Sequence, residues 1–168
     1  SGPLHRDGVK LADLDGADYT EIALPAQDGR YRLELRAERG ARFALSTRTQ
    51  IAWTFRSGHV SGDALPLPLS VIRWTPALDR FGSAPAGRLS AVPVTVLPQA
   101  GSTAGAVTSL SVQASFDDGT TWQNVSVKDG CAWVRHPSGS GFVSLRAQAA
   151  TADGSTIEVT VIRAYRYA

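Results

Sequence analysis

The stretch Ser115-Phe116-Asp117-Asp118-Gly119-Thr120-Thr121-Trp122 fixes how the chain reads, because it sets a tight turn between two strand patterns. Ahead of it, Leu110, Val112, Ala114 and Phe116 alternate with small or polar residues, the spacing of one buried strand face. Behind it, Trp122-Gln123-Asn124-Val125-Ser126-Val127 reads as the returning strand. Asp118-Gly119 supplies the turn, since glycine takes positive φ without a Cβ clash and aspartate tolerates it. Asp-Gly occurs six times in the 168 residues, nearly always where a turn is wanted between strand-like runs. The expected fold class is all-β.

Working outward, Tyr31, Leu33, Leu35 and Ala37 alternate with Arg32, Glu34, Arg36 and Glu38, a half-buried strand with its apolar side inward. Ile51, Trp53 and Phe55 against Ala52, Thr54 and Arg56 make another. Leu65-Pro66-Leu67-Pro68-Leu69 is excluded from a central strand because proline donates no ladder hydrogen bond, whereas Ser70 to Trp74 suits one. No stretch carries a sustained helical period with caps. Residues 79–88 are rich in turn formers and poor in large apolar side chains, so a boundary is expected there, dividing the chain into domains 1–84 and 85–168. In the second, Val92, Val94 and Val96, the hairpin, Cys131 to Val134, then Val143 to Ala149 and Ile157 to Tyr165 give about seven short strands. That spacing points to two β-sandwich-like domains, the C-terminal one of the immunoglobulin or fibronectin-III kind. The lack of a Cys…Trp…Cys framework argues against an antibody-type domain.

Composition excludes more than it selects. Net charge is +2 and the arginines are interspersed with acids, so no basic stripe for nucleic acid is present. No apolar run approaches the ~20 residues that span a bilayer, and no charged-then-apolar leader opens the chain, so no membrane partner is expected. The Ser1-Gly2-Pro3 start and the absence of Met read as a processed or expressed fragment, with residues 1–18 a polar lead-in and Ser-Gly-Pro given no role in the fold. The single cysteine, Cys131, excludes an internal disulfide and is read as a small buried hydrophobe beside Trp133, with pairing outside the chain left open. His5, His59 and His136 have no metal-ligand spacing. Asp13, Asp15 and Asp18 cluster as calcium ligands do, but the glycine is misplaced for an EF-hand and position twelve lacks Glu, so an ordinary turn is favoured.

A search for chemistry finds no Gly-x-Ser-x-Gly elbow and no phosphate-cradling loop, so no catalytic residue and no cofactor is assigned. His59 and His136 read as surface or loop residues rather than bases. Among the aromatics, Trp53, Trp122 and Trp133 are assigned to packing, which leaves Trp74, Tyr165 and Tyr167 as a possible surface binding set.

The turn stretch resembles the Asp-box, a β-hairpin motif of sialidases and many secreted β domains. That resemblance implies structural roles for Ser115, Asp117, Gly119, Thr121 and Trp122, with the Asp and Ser/Thr side chains satisfying turn amides and the Trp packed beneath. Over nearly its whole length the chain also resembles the C-terminal region of large secreted subtilisin-like serine peptidases of Streptomyces and related actinobacteria. The residues that carry this likeness are Ser46 to Ser57, Leu67 to Arg73, Ser115 to Trp122, Val143 to Ala147 and Val161 to Tyr165. The catalytic signatures of that family, Asp-Ser/Thr-Gly, His-Gly-Thr and Gly-Thr-Ser, do not occur here. The resemblance therefore implies a secreted, extracellular, non-catalytic accessory module whose partner is the protease domain of its parent. The alternative is a targeting module for an extracellular polymer or carbohydrate. A bare apolar patch would favour the first, and an exposed aromatic row the second.

Overall fold

The computed structural model describes residues 1–15 and 21–168 and is all-β, with no helix among the described residues. The strands are β1 (Gly2–Arg6), β2 (Val9–Leu14), β3 (Gly29–Glu38), β4 (Arg48–Ser57), β5 (Ser70–Trp74), β6 (Ser83–Ala84), β7 (Leu89–Pro98), β8 (Val107–Ser115), β9 (Gln123–Lys128), β10 (Cys131–Arg135), β11 (Gly141–Thr151) and β12 (Thr156–Tyr167). Two of the Asp-Gly pairs close two-residue hairpins. Asp7-Gly8, with φ of 50° and 83°, joins β1 to β2, and Asp129-Gly130, at 51° and 72°, joins β9 to β10. Positive φ at both turn residues matches the twist of the flanking strands.

The hairpin β1–β2 corrects the reading of the first residues. Gly2 to Arg6 pairs with both β2 and β3, and Ser1 exchanges backbone hydrogen bonds with Arg36. Ladder pairing asks only for backbone groups, so a stretch with little side-chain signal still builds a strand. Of the aspartates weighed for calcium, Asp13 is paired with Lys10 at 2.6 Å, and Asp18 lies outside the described residues.

All the strands join one antiparallel path, β2-β1-β3-β4-β12-β11-β8-β9-β10-β7-β5, with β6 added in parallel to β12. Across the turn-rich residues 79–88, β5 pairs with β7 and β4 with β12. The path curls back on itself. The Trp53 indole of β4 donates to the Ser70 carbonyl of β5, the far end of the path, at 2.8 Å. Inside the curl, Ile72, Val92, Val94, Ala132 and Val134 from β5, β7 and β10 meet Val112, Ala114, Leu145, Ala147, Ile157 and Val159 from β8, β11 and β12. A smaller apolar cluster of Leu4, Tyr31 and Phe55 lies under β1, β3 and β4, and Trp53 packs against both clusters. One break in this order matters: between Val143 and Leu145 the β11–β12 register shifts, and Arg163, in the bulge this makes on β12, takes φ 55° while its N–H bonds to Ser144 Oγ at 3.0 Å.

Candidate functional site

The hairpin stretch is knitted by its own side chains. Ser115, 1% exposed, accepts from the Gly119 amide at 2.8 Å and donates to Asp117 Oδ1 at 2.7 Å. The Asp117 carboxylate accepts the Thr121 amide at 2.9 Å and the Thr121 hydroxyl at 2.6 Å. These bonds, with Thr121 the chief donor, hold the Asp117 carboxyl down at about 2. The Trp122 indole N–H reaches the Gly119 carbonyl at 3.0 Å, and Arg146 lies over its ring at 4.5 Å from the centroid. The side-chain polar groups of Ser115, Asp117, Thr121 and Trp122 are thus committed to the turn.

The aromatics fall differently from expectation. Tyr165 and Tyr167, expected at the surface, are 1% and 7% exposed, and Trp74 is half-buried against the main core. Trp133, expected inside, is 40% exposed, and Cys131 beside it is half-buried. The reason is register. In β10 the inward positions are Ala132 and Val134, and because the strand period is two, Cys131 and Trp133 must face out.

The same inward series continues past the strand end to His136, which is 2% exposed and corrects its reading as a surface residue. Its Nδ1 lies 2.9 Å from the Pro85 carbonyl, so that nitrogen carries the proton, and Nε2 accepts from the Tyr165 hydroxyl at 3.0 Å. Its ring stacks on Tyr167, with centroids 5.9 Å apart and planes 3° from parallel, and Phe116 meets Tyr167 edge-on. Burial pushes the His136 pKa down, opposed by the Pro85 bond, and pushes the Tyr165 hydroxyl up. A neutral imidazole sealed from solvent, bonded to a carbonyl and a phenol, ties the ends of β10 and β12 together. The signal for it was present in the alternation 132, 134, 136. His59 is exposed. Among the described residues no group of three or more His, Cys, Asp or Glu comes together.

The chain therefore presents two outer faces, one on either side of the curl. On β7, Leu89, Ala91, Pro93, Thr95 and Leu97 point outward, flanked by Val71 and Arg73 of β5 and by Cys131, Trp133 and Arg135 of β10. Leu89 and Leu97 are 48% and 43% exposed and Trp133 40%, so apolar side chains are bare on this face, but the exposed Arg73–Thr95 pair separates Leu97 and Val71 from the rest and Arg135 stands opposite Leu89.

The opposite face is polar and in register. Arg36, Gln50, Thr160, Arg146, Gln113 and Asn124 form one rung across β3, β4, β12, β11, β8 and β9. Glu34, Ala52, Glu158, Gln148 and Ser111 form the next. His5, Arg32, Thr54, Thr156, Ala150 and Ser109 form a third, beginning at β1. The side chains brace one another. Arg32 bonds Glu34 at 2.7 Å and Glu158 at 3.2 Å, while Arg146 donates to Gln113 at 2.8 Å and Gln113 to Asn124 at 2.8 Å. Each strand's polar alternation is visible in sequence; only the register aligns the rungs. Comparisons of the chain with protein-family models, with characterised proteins and with solved structures give no match.

Proposed function

We propose that this chain is a non-catalytic C-terminal accessory module of a secreted subtilisin-like serine protease, and that it seats its apolar face on the protease domain to stabilise or position it. The observation that carries this reading is the set of exposed apolar side chains on one face, Leu89, Trp133 and Leu97 with half-buried Val71 and Cys131, edged by Arg73, Thr95 and Arg135. An accessory module separated from its enzyme leaves such a patch, which is costly in water and gains on being covered. With Tyr165 and Tyr167 buried, the aromatic row that would favour polymer stacking is not formed by those residues. The resemblance of Ser46 to Ser57, Leu67 to Arg73, Ser115 to Trp122 and the later strands to such peptidases supplies the parent, and with it an extracellular location.

In the same reading, residues 1–84 and 85–168 are two sandwich-like units, the second immunoglobulin- or fibronectin-III-like. The smaller apolar cluster under β1, β3 and β4 is what supports a first unit, although Ile72 and Ala84 of its span pack in the main cluster inside the curl.

The test is capture of this chain by immobilised protease domain from such a peptidase. Capture is expected, and it should fall in Trp133→Ser and Leu97→Ser variants whose melting curves match the parent. Retention on an insoluble polymer with no capture by the protease domain would replace this reading with a targeting module.

A further inference from the structure

Two turns carry the same dipeptide, Arg42-Phe43 and Arg80-Phe81. The Phe43 amide closes the first on the Gly40 carbonyl at 3.0 Å, and the Gly82 amide closes the second on the Asp79 carbonyl at 3.0 Å. Strand pairing makes them neighbours, because β4 begins its pairing with β12 at Arg48, and β6, which follows the second turn, takes up the same side of β12 at Arg166 and Tyr167. The loops touch there: a Cβ at Gly82 would lie 3.6 Å from Leu45 Cδ1. Phe43 and Phe81 are 47% and 65% exposed, so both rings stand proud of the surface. A guanidinium lies over each, Arg39 at 5.5 Å from the Phe43 centroid and Arg80 at 4.7 Å from that of Phe81. Stacking on a ring face uses none of the guanidinium N–H groups. Among the described residues Arg39, Arg42 and Arg80 form no ion pair. The acids beside them in the chain are engaged, since Asp79 accepts the Phe81 and Ser83 amides and Glu38 accepts from Arg36.

We propose that these paired turns dock on an anionic phospholipid surface, with the Phe43 and Phe81 rings entering the boundary between headgroups and acyl chains and Arg39, Arg42 and Arg80 meeting lipid phosphates. The pairing of bare ring with unpaired guanidinium, made twice on touching loops, selects that occupant. A soluble anion or an acidic sugar chain would satisfy the arginines and leave two phenyl rings in water, where their exposure is costly. A folded protein partner would need a fitted pocket for each ring, set among carboxylates. A bilayer supplies phosphate and hydrocarbon together at every point of its surface and asks for no fitted shape. Such contact needs no spanning segment, since the chain lies on the bilayer rather than through it. The surface shares no residue with the apolar face proposed to meet the protease domain.

The test is co-sedimentation of the intact chain with vesicles of phosphatidylcholine and phosphatidylglycerol in equal parts, against vesicles of phosphatidylcholine alone. Binding to the anionic vesicles is expected, weakening as salt rises. Phe43→Ser and Phe81→Ser should each reduce it about tenfold, and Arg80→Gln about fivefold, while Leu97→Ser on β7 should leave it unchanged. With brominated acyl chains in the vesicles, the fluorescence of a Phe81→Trp variant should be quenched more than that of the parent. The two phenylalanines are replaced separately, so if one variant melts unlike the parent the other still decides. Lack of binding to anionic vesicles would overturn the proposal. So would binding that Arg80→Gln weakens and neither phenylalanine variant does, which is adsorption by charge alone. Equal retention on immobilised poly-glutamate would also overturn it, by making this a site for an acidic peptide.

Discussion

The Arg163 guanidinium grips the Asp118 carboxylate through two parallel hydrogen bonds, Nε to Oδ1 at 2.8 Å and Nη2 to Oδ2 at 2.7 Å. Both residues hold left-handed backbone, Asp118 at φ 57° in the hairpin turn and Arg163 at φ 55° in the β12 bulge. The bond to Arg163 holds the Asp118 carboxyl below its usual range and raises the guanidinium. Two irregular points of the backbone, 45 residues apart, are thus fastened to each other.

Because the pair is partly exposed, its worth is modest despite its bidentate geometry. Arg163→Ala and Asp118→Ala should each cost about 1 kcal/mol, and the double variant about as much as either single one. Urea denaturation of the four proteins closes the cycle; strictly additive losses would show that the two residues do not couple.

Asp117 predicts an acid limb. Its carboxyl is held at about 2, chiefly by Thr121 and then Ser115, against an ordinary 3.8. A group whose folded pKa lies below its unfolded one contributes stability that is complete above the unfolded value and drains as pH falls toward the folded one. The thermal midpoint should therefore fall between about pH 5 and pH 2, and Asp117→Asn should make that slope shallower. Melting curves across this range, followed by circular dichroism, give the comparison; parallel slopes would contradict the assignment.

His136 predicts a second, separate limb. Burial lowers its folded pKa below the ordinary 6.5, so stability is fully present above that pH and declines as the imidazole is forced to protonate below it. Replacing Tyr165 by Phe removes the donor to Nε2 and leaves a buried acceptor without a partner, at a cost of about 1–2 kcal/mol. If Tyr165→Phe melts with the parent at neutral pH, the bond does not contribute.

Gly119 separates two kinds of strain. Its φ is +85°, and a Cβ there would lie 2.9 Å from Ile162 Cδ1 and 3.1 Å from Trp122 Cζ2. Gly8 has a similar φ of +83° with nothing within 4 Å. Gly8→Ala should lose about 1 kcal/mol from backbone strain alone, and Gly119→Ala should lose more, up to about 3 kcal/mol, because Ile162 and Trp122 must also move. Equal losses would mean that the packing around Gly119 yields freely.

How much of this was legible depends on the range of each interaction. The hairpin of Ser115 to Trp122 was readable because its partners lie within a few positions of one another. The all-β class followed from alternation and the Asp-Gly turns. Trp133 was misplaced because alternation gives the period of β10 but not its phase, and Ala132 carries too little bulk to mark the inner face. Tyr165 and Tyr167 were misplaced for a different reason. Near a chain end, aromatics in alternation read as exposed unless a partner such as His136 is known, and that partner lies 29 residues away. The three polar rungs depend on six separate registers and were beyond any local pattern.

The pairing of β4 with β12 has a consequence for how the molecule is made. Trp53 sits opposite Ile157, about a hundred residues later in the chain, and these two strands lie near the middle of the sheet path. During synthesis β4 therefore waits for almost the whole chain to emerge before it finds its neighbour, and until then both β4 and β11 present unpaired edges. Such a high contact order makes for slow folding and prolonged exposure to wrong partners. The hairpin around Asp117 can close on its own, so it supplies an early local anchor on which the last strand, through Arg163, can find its register.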